Sequence, residues 1–157
     1  MITGFLHFAY SCADADRSIA FYRDNFGMEL IADRVVPGGG YVEAVTGIAG
    51  AQVRIVHLRG YGVNLELLEY EQPRGETRAR EPNHAGSAHM AFVVDDCDAV
   101  CAQLTAKGVP VRSAGGRPQT VTGGPNDGGK CVYLEDPDGN PVELVQLVRP
   151  WPGTTAD

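Results

Sequence analysis

The chain has 157 residues, 43% of them hydrophobic, with a formal net charge of −7 and a pI near 5.0. That length holds one compact domain or two small halves, while the acidity and the lack of a Lys/Arg cluster argue against a nucleic-acid partner. No apolar run approaches the ~20 residues of a membrane-crossing helix, and the start "MITGFLHFAY" lacks the charged region and cleavage site of a signal peptide, so a cytoplasmic protein is expected.

The first strand-like run contains His7 and leads to Asp14 and Asp16, which suit a helix N-cap. Ile19, Tyr22 and Phe26 recur on one face of the helix that follows, and Gly27 suits its C-terminal stop. "VPGGG" at 36–40 has the composition of a phosphate-cradling loop, but no helix is expected after it to aim its amides. Two strand-like runs come next, "AQVRIVHLR" and "VNLELLEY", separated by a glycine turn; the second places Glu66 among apolar residues. His57, in the first of them, has no evident counterpart elsewhere and is expected at the surface. The polar stretch around 71–87, which contains His84, reads as a linker; the module bounds are placed at 1–72 and 85–149, with 73–84 between them and 150–157 as a tail.

The second half begins again with a histidine, His89, in an apolar run, followed by Asp96 and Asp98, then a helix-like stretch with Val100 and Leu104 on one face and Gly108 at its end. "GGPNDGGK" at 123–130 reads as a loop, with Lys130 and Arg117 as possible contacts for an anionic substrate. "KCVYLED", the turn "DPDGN" and the strand "PVELVQLV" complete the half; Pro137, Gly139 and the Asp/Asn side chains favour the reversal. Tyr10, Phe92 and Tyr133 are read as core aromatics. Cys12, Cys97, Cys101 and Cys131 show no CxxC spacing; Cys97 and Cys101 lie four apart on the expected helix and are read as small buried hydrophobes, not as metal ligands or a disulfide.

The two halves repeat. In each, a histidine is followed seven residues later by an aspartate, then a helix, a glycine and further strands, giving a β-α-β-β-β pattern. Four polar residues interrupt apolar strands at matching places: His7 and Glu66 in the first half, His89 and Glu143 in the second. A lone buried carboxylate costs several kcal/mol. If the halves pack by pseudo-twofold symmetry the four converge, and two imidazoles with two carboxylates form a shell for one Zn, Ni, Co, Mn or Fe(II) ion that removes this cost.

With "SIAFYRDNFGMEL" after the first strand, "YLEDPDGNPVEL" near the end and the paired modules, the sequence resembles the vicinal oxygen chelate superfamily of glyoxalase I, bleomycin-resistance, methylmalonyl-CoA epimerase and extradiol dioxygenase proteins. The resemblance covers about 3–148. It implies an α+β fold of two βαβββ modules whose curved mixed sheets surround a metal cleft, with His7, Glu66, His89 and Glu143 on the ligand positions and a homodimer acting on a small molecule. Glyoxalase I proteins usually carry Arg and Asn where this chain has Ser11 and Tyr70, which weakens a glutathione reading. Epimerases of the group usually have Gln at the place of Glu66 and a further Glu in the region "VTGIAGAQ"; Glu43 is nearby but out of register. Extradiol dioxygenases often keep a Tyr where Tyr133 stands, yet also a His that "GGPNDGG" lacks. Bleomycin-binding members generally lack the ligands. The favoured expectation is therefore a metal-dependent epimerase, isomerase or lyase with Glu143 as main base and Glu66 as its partner, with a dioxygenase and a drug-binding protein as alternatives.

Overall fold

The structure, a computed structural model, describes residues 1–77 and 81–151. The expected linker 73–84 and tail 150–157 therefore fall partly outside the described residues. The described residues divide into two compact units, 1–77 and 81–151. Each is an α+β unit built around a four-stranded mixed sheet.

In the first unit the elements are β1 (Phe8–Ser11), α1 (Ala15–Phe26), β2 (Glu29–Val36), α2 (Tyr41–Thr46), β3 (Gln52–Gly60) and β4 (Val63–Gln72). The sheet order is β1-β4-β3-β2, with β1 parallel to β4 and the other pairs antiparallel. Helix α1 starts where Asp14 accepts the Arg17 N–H at 3.1 Å and ends at Gly27, whose φ of 63° is the left-handed conformation that glycine adopts without strain. Ile19, Tyr22 and Phe26 are buried as the helical period requires, and α1 packs on one face of the sheet against β2, β3 and β4. On that face Val56, Leu58, Leu65 and Leu67 are fully buried. The alternate residues His57, Glu66 and Leu68 therefore face the other way.

In the second unit β5 (Met90–Val94) leads into α3 (Cys97–Ala106), a 3-10 turn at Ala114–Gly116, β6 (Gln119–Thr120), β7 (Lys130–Glu135) and β8 (Pro141–Gln146). The order is β5-β8-β7-β6, with β5 parallel to β8. Asp96 caps α3 by accepting the Ala99 N–H at 3.0 Å, the counterpart of Asp14 on α1. A second contact repeats as well: Glu69 Oε2 accepts the Ala15 N–H at 3.2 Å, and Gln146 Oε1 accepts the Cys97 N–H at 3.0 Å. One side chain from the glutamate strand thus receives the first amide of the helix in both units.

Several expectations need correction. On α3 Cys97, Cys101 and Leu104 are buried as expected, but Val100, expected on the same face as Leu104, is only half-buried. All four cysteines are free thiols, and burial pushes the Cys97 thiol up to about 11, as suits an inert core residue. "VPGGG" is followed by a helix after all: Gly40 caps α2, whose six residues are too few to show a periodicity in the sequence. Glu43 in α2 accepts the Gly50 N–H at 2.9 Å, so its carboxylate closes that loop. "GGPNDGGK" is pinned in place. Asn126 donates to Gln146 O at 3.2 Å and accepts from Val148 N at 3.0 Å, and Lys130 is paired with Asp98. At Gly129 a Cβ would lie 2.6 Å from Gln146 O, so only glycine lets the loop approach the strand.

Candidate metal centre

The two histidines expected inside the first strands stand one residue before them, at His7 ahead of β1 and His89 ahead of β5. The offset is the same in both units. It follows from the register, because strand pairing begins at Phe8 opposite Leu65 and at Met90 opposite Val142. Ala9 lies opposite Glu66 and Ala91 opposite Glu143, so each histidine, two residues before its alanine, shares a face with its glutamate.

In the first unit His7 Nε2 is 3.3 Å from Glu66 Oε2. The Glu66 side chain is 13% exposed, as far from water as a carboxylate can go only with partners. In the second unit His89 Nε2 is 3.3 Å from Glu143 Oε2, with the Glu143 side chain 18% exposed. Burial holds the Glu143 carboxyl above the usual carboxylate range, and the neighbouring His89 only partly opposes that. Each unit therefore brings together the histidine and glutamate that the sequence paired.

The register adds a third residue to each pair. His57 lies opposite Glu66 across β3 and β4, and Tyr133 lies opposite Glu143 across β7 and β8. The repeat counterpart of His57 is thus Tyr133, and neither residue is where sequence reasoning put it. His57 is not simply a surface residue: its Nε2 is 3.1 Å from Glu66 Oε1. Tyr133 is half-buried rather than core, its ring centroid 5.2 Å from that of His89. Burial first and then the Glu143 charge push the Tyr133 hydroxyl up. The signal for His57 was present in the hairpin turn. Tyr61 and Gly62, with φ of 53° and 73°, form a two-residue turn of the hairpin type with both φ positive, and His57 and Glu66 stand four residues either side of it.

One donor atom from each of His7, His57 and Glu66 lies within 4.8 Å of the others, a group able to hold a metal ion. The Glu66 carboxylate joins the two imidazoles through different oxygens, Oε2 to His7 at 3.3 Å and Oε1 to His57 at 3.1 Å. His7 Nδ1 is buried without a hydrogen-bond partner, which leaves Nε2 as the nitrogen positioned for chemistry. A borderline-soft divalent ion fits these imidazole and carboxylate donors. Beside them, on the same face, Ile55 pairs with Leu68 and Val53 with Tyr70, and these pack with Val36, Val42 and Ala51 into an apolar wall. Tyr70 is therefore part of that wall, not a polar grip. Arg117 and His84 are exposed. Among the described residues no helix is long and apolar enough to cross a membrane.

The sequence pattern of the Glyoxalase/Bleomycin resistance protein/Dioxygenase superfamily matches residues 4–144. A 2-epi-5-epi-valiolone epimerase from Actinomyces sp is 35% identical over 145 residues, covering 90% of this chain and 78% of the relative. A lactoylglutathione lyase from Haemophilus influenzae is 31% identical over 143 residues, covering 90% of each. The crystal structure of a glyoxalase family protein from Bacillus cereus superposes with a TM-score of 0.78 at 19% identity, over 95% of this chain and 97% of that one.

Proposed function

The chain belongs to the Glyoxalase/Bleomycin resistance protein/Dioxygenase superfamily, and on that premise we propose that it is a divalent-metal-dependent epimerase or isomerase that moves a proton on the carbon next to a carbonyl. The observation that carries this reading is the repetition of one histidine–glutamate pair, at 3.3 Å in both units. In the proposal the module bounds are 1–72 and 85–149, and His7, Glu66, His89 and Glu143 together hold one Zn, Ni, Co, Mn or Fe ion, within a chain or between the chains of a homodimer.

When bound, such an ion acts as a Lewis acid on the substrate carbonyl and acidifies the neighbouring C–H. The remaining steps belong to the side chains. Glu143, held above the usual carboxylate range by burial, is the base that takes the proton. Glu66 returns a proton from the opposite side, which is what inversion at that carbon requires. The apolar wall of Ile55, Leu68, Val53 and Tyr70 excludes water beside Glu66. Ser11 is exposed and Tyr70 belongs to that wall, so neither offers a cationic fork for a glutathione carboxylate. A cytoplasmic location is proposed with this activity.

The test is exchange of substrate C–H for deuterium in D₂O, with 2-epi-5-epi-valiolone heading a panel of α-hydroxy ketones, 2-oxo compounds and acyl thioesters. Exchange or epimerisation that is lost on chelation supports the proposal. Oxygen consumption with a catechol and Fe(II), without exchange on any compound, would establish the dioxygenase instead. That second reading has one observation in its favour, the Tyr133 ring beside His89.

A further inference from the structure

We infer that His57 is a direct metal ligand, so that the first unit supplies three donors, His7, His57 and Glu66. This inference rests on the proposed metal centre. It goes beyond the four repeat-matched residues to one that has an aromatic hydroxyl, Tyr133, as its counterpart.

Three observations carry it. The Glu66 carboxylate is addressed from both sides, with Oε1 3.1 Å from His57 Nε2 and Oε2 3.3 Å from His7 Nε2. The two imidazoles lie with ring centroids 6.0 Å apart and are inclined at 58°, so both Nε2 atoms turn toward the same carboxylate instead of stacking. Donor atoms from all three residues lie within 4.8 Å of one another, a spacing at which the group can hold one ion. His57 is also held rigidly for such a role. It sits mid-strand in β3, flanked by buried Val56 and Leu58, and its register is fixed by the tight turn at Tyr61 and Gly62, whose Tyr61 hydroxyl donates to Phe26 O at 3.0 Å. Two imidazoles and one carboxylate are a sufficient protein set for a divalent ion of the zinc or iron type.

The consequence is an asymmetric centre. The first unit then carries two imidazoles and a carboxylate, and the second carries the single pair His89 and Glu143.

The chain has four histidines, so a spectrum of protein carrying ¹⁵N-labelled histidine resolves the question residue by residue. On titration with zinc, ring-nitrogen resonances of His7, His57 and His89 should take the shifts of coordinated nitrogen, while exposed His84 serves as the unshifted control. His57→Gln should remove one shifted resonance, leave the other two, and weaken zinc binding by at least about 10-fold, on the scale seen when groups around a metal are altered. Shifts at His7 and His89 alone, unchanged in His57→Gln, would overturn the role of His57 and leave the metal centre standing. No coordinated resonance at any histidine would overturn the metal centre and this inference together. His57→Asn, shorter but still a hydrogen-bond donor, guards against a folding defect: a folded variant that binds zinc as tightly as the wild type would also overturn the inference.

Discussion

The two sheets share one frame and carry different chemistry. Both units set a histidine one residue before the first strand, an alanine opposite the glutamate, and a third side chain across from that glutamate. In the first unit the third side chain is an imidazole 3.1 Å from the carboxylate; in the second it is a phenol whose ring lies against the histidine. Duplication of the backbone thus fixes where side chains point. At this one register position the units differ, His57 standing opposite Glu66 and Tyr133 opposite Glu143. The same division shows in burial: the His7 side chain is 30% exposed and that of His89 43%.

The largest expected effect separates the two glutamates from the frame that holds them. Glu143→Gln keeps an oxygen at the site but removes the proton acceptor, and deuterium exchange into substrate should fall by ~10²–10⁴-fold, the usual contribution of a general base. Glu66→Gln should lower epimerisation more than exchange, since Glu66 returns the proton instead of taking it. Equal losses in both assays for both variants would remove the distinction drawn between the units.

A smaller effect tests the frame itself. Asp14→Ala and Asp96→Ala remove N-caps that make the same bond, at 3.1 Å and 3.0 Å. Each should cost about 1 kcal/mol, or roughly 2–4 °C in melting temperature for a chain of this size. Losses that differ several-fold would show that the two units are not energetically equivalent.

The smallest effect is a pH dependence that arises at Glu143 in the second unit. In chelator-treated protein, burial holds the Glu143 carboxyl above its unfolded value, so in the window between about 4.3 and the raised value the folded state binds the extra proton. Stability contributed by this group is therefore lost as the pH rises through that window. Glu143→Gln should flatten the slope and raise the melting temperature near pH 7, as measured by thermal unfolding across pH 4–8. An unchanged slope would place the burial cost elsewhere.

Much of this frame was legible in the sequence because it depends on local chemistry. Asp14 and Asp96 mark helix starts through their own hydrogen bonds, Asp136 and Asn140 mark the turn before Glu143, and the glutamates stand out because carboxylates rarely interrupt apolar strands. What was not legible depends on non-local register. His57 has no repeat partner of its own type, so comparing residue identities hides it; only counting outward from the Tyr61–Gly62 turn places it opposite Glu66. Tyr61 disguised that turn, since a non-glycine residue with positive φ is uncommon. Helix α2, at six residues, leaves no periodic trace, whereas on α3 the four-residue spacing of Cys97 and Cys101 made their burial legible and only Val100 was placed on the wrong face.

The central claim is that one ion draws ligands from both units. The most direct measurement is a zinc titration of chelator-treated protein, read by calorimetry, for the wild type and for the double variant His89→Ala/Glu143→Ala, which leaves the first unit intact. The account predicts one ion per wild-type chain and binding at least about 100-fold weaker in the double variant, because two of the ligands are gone. An unaltered affinity in that variant would contradict it, and would mean that the first unit holds its metal alone.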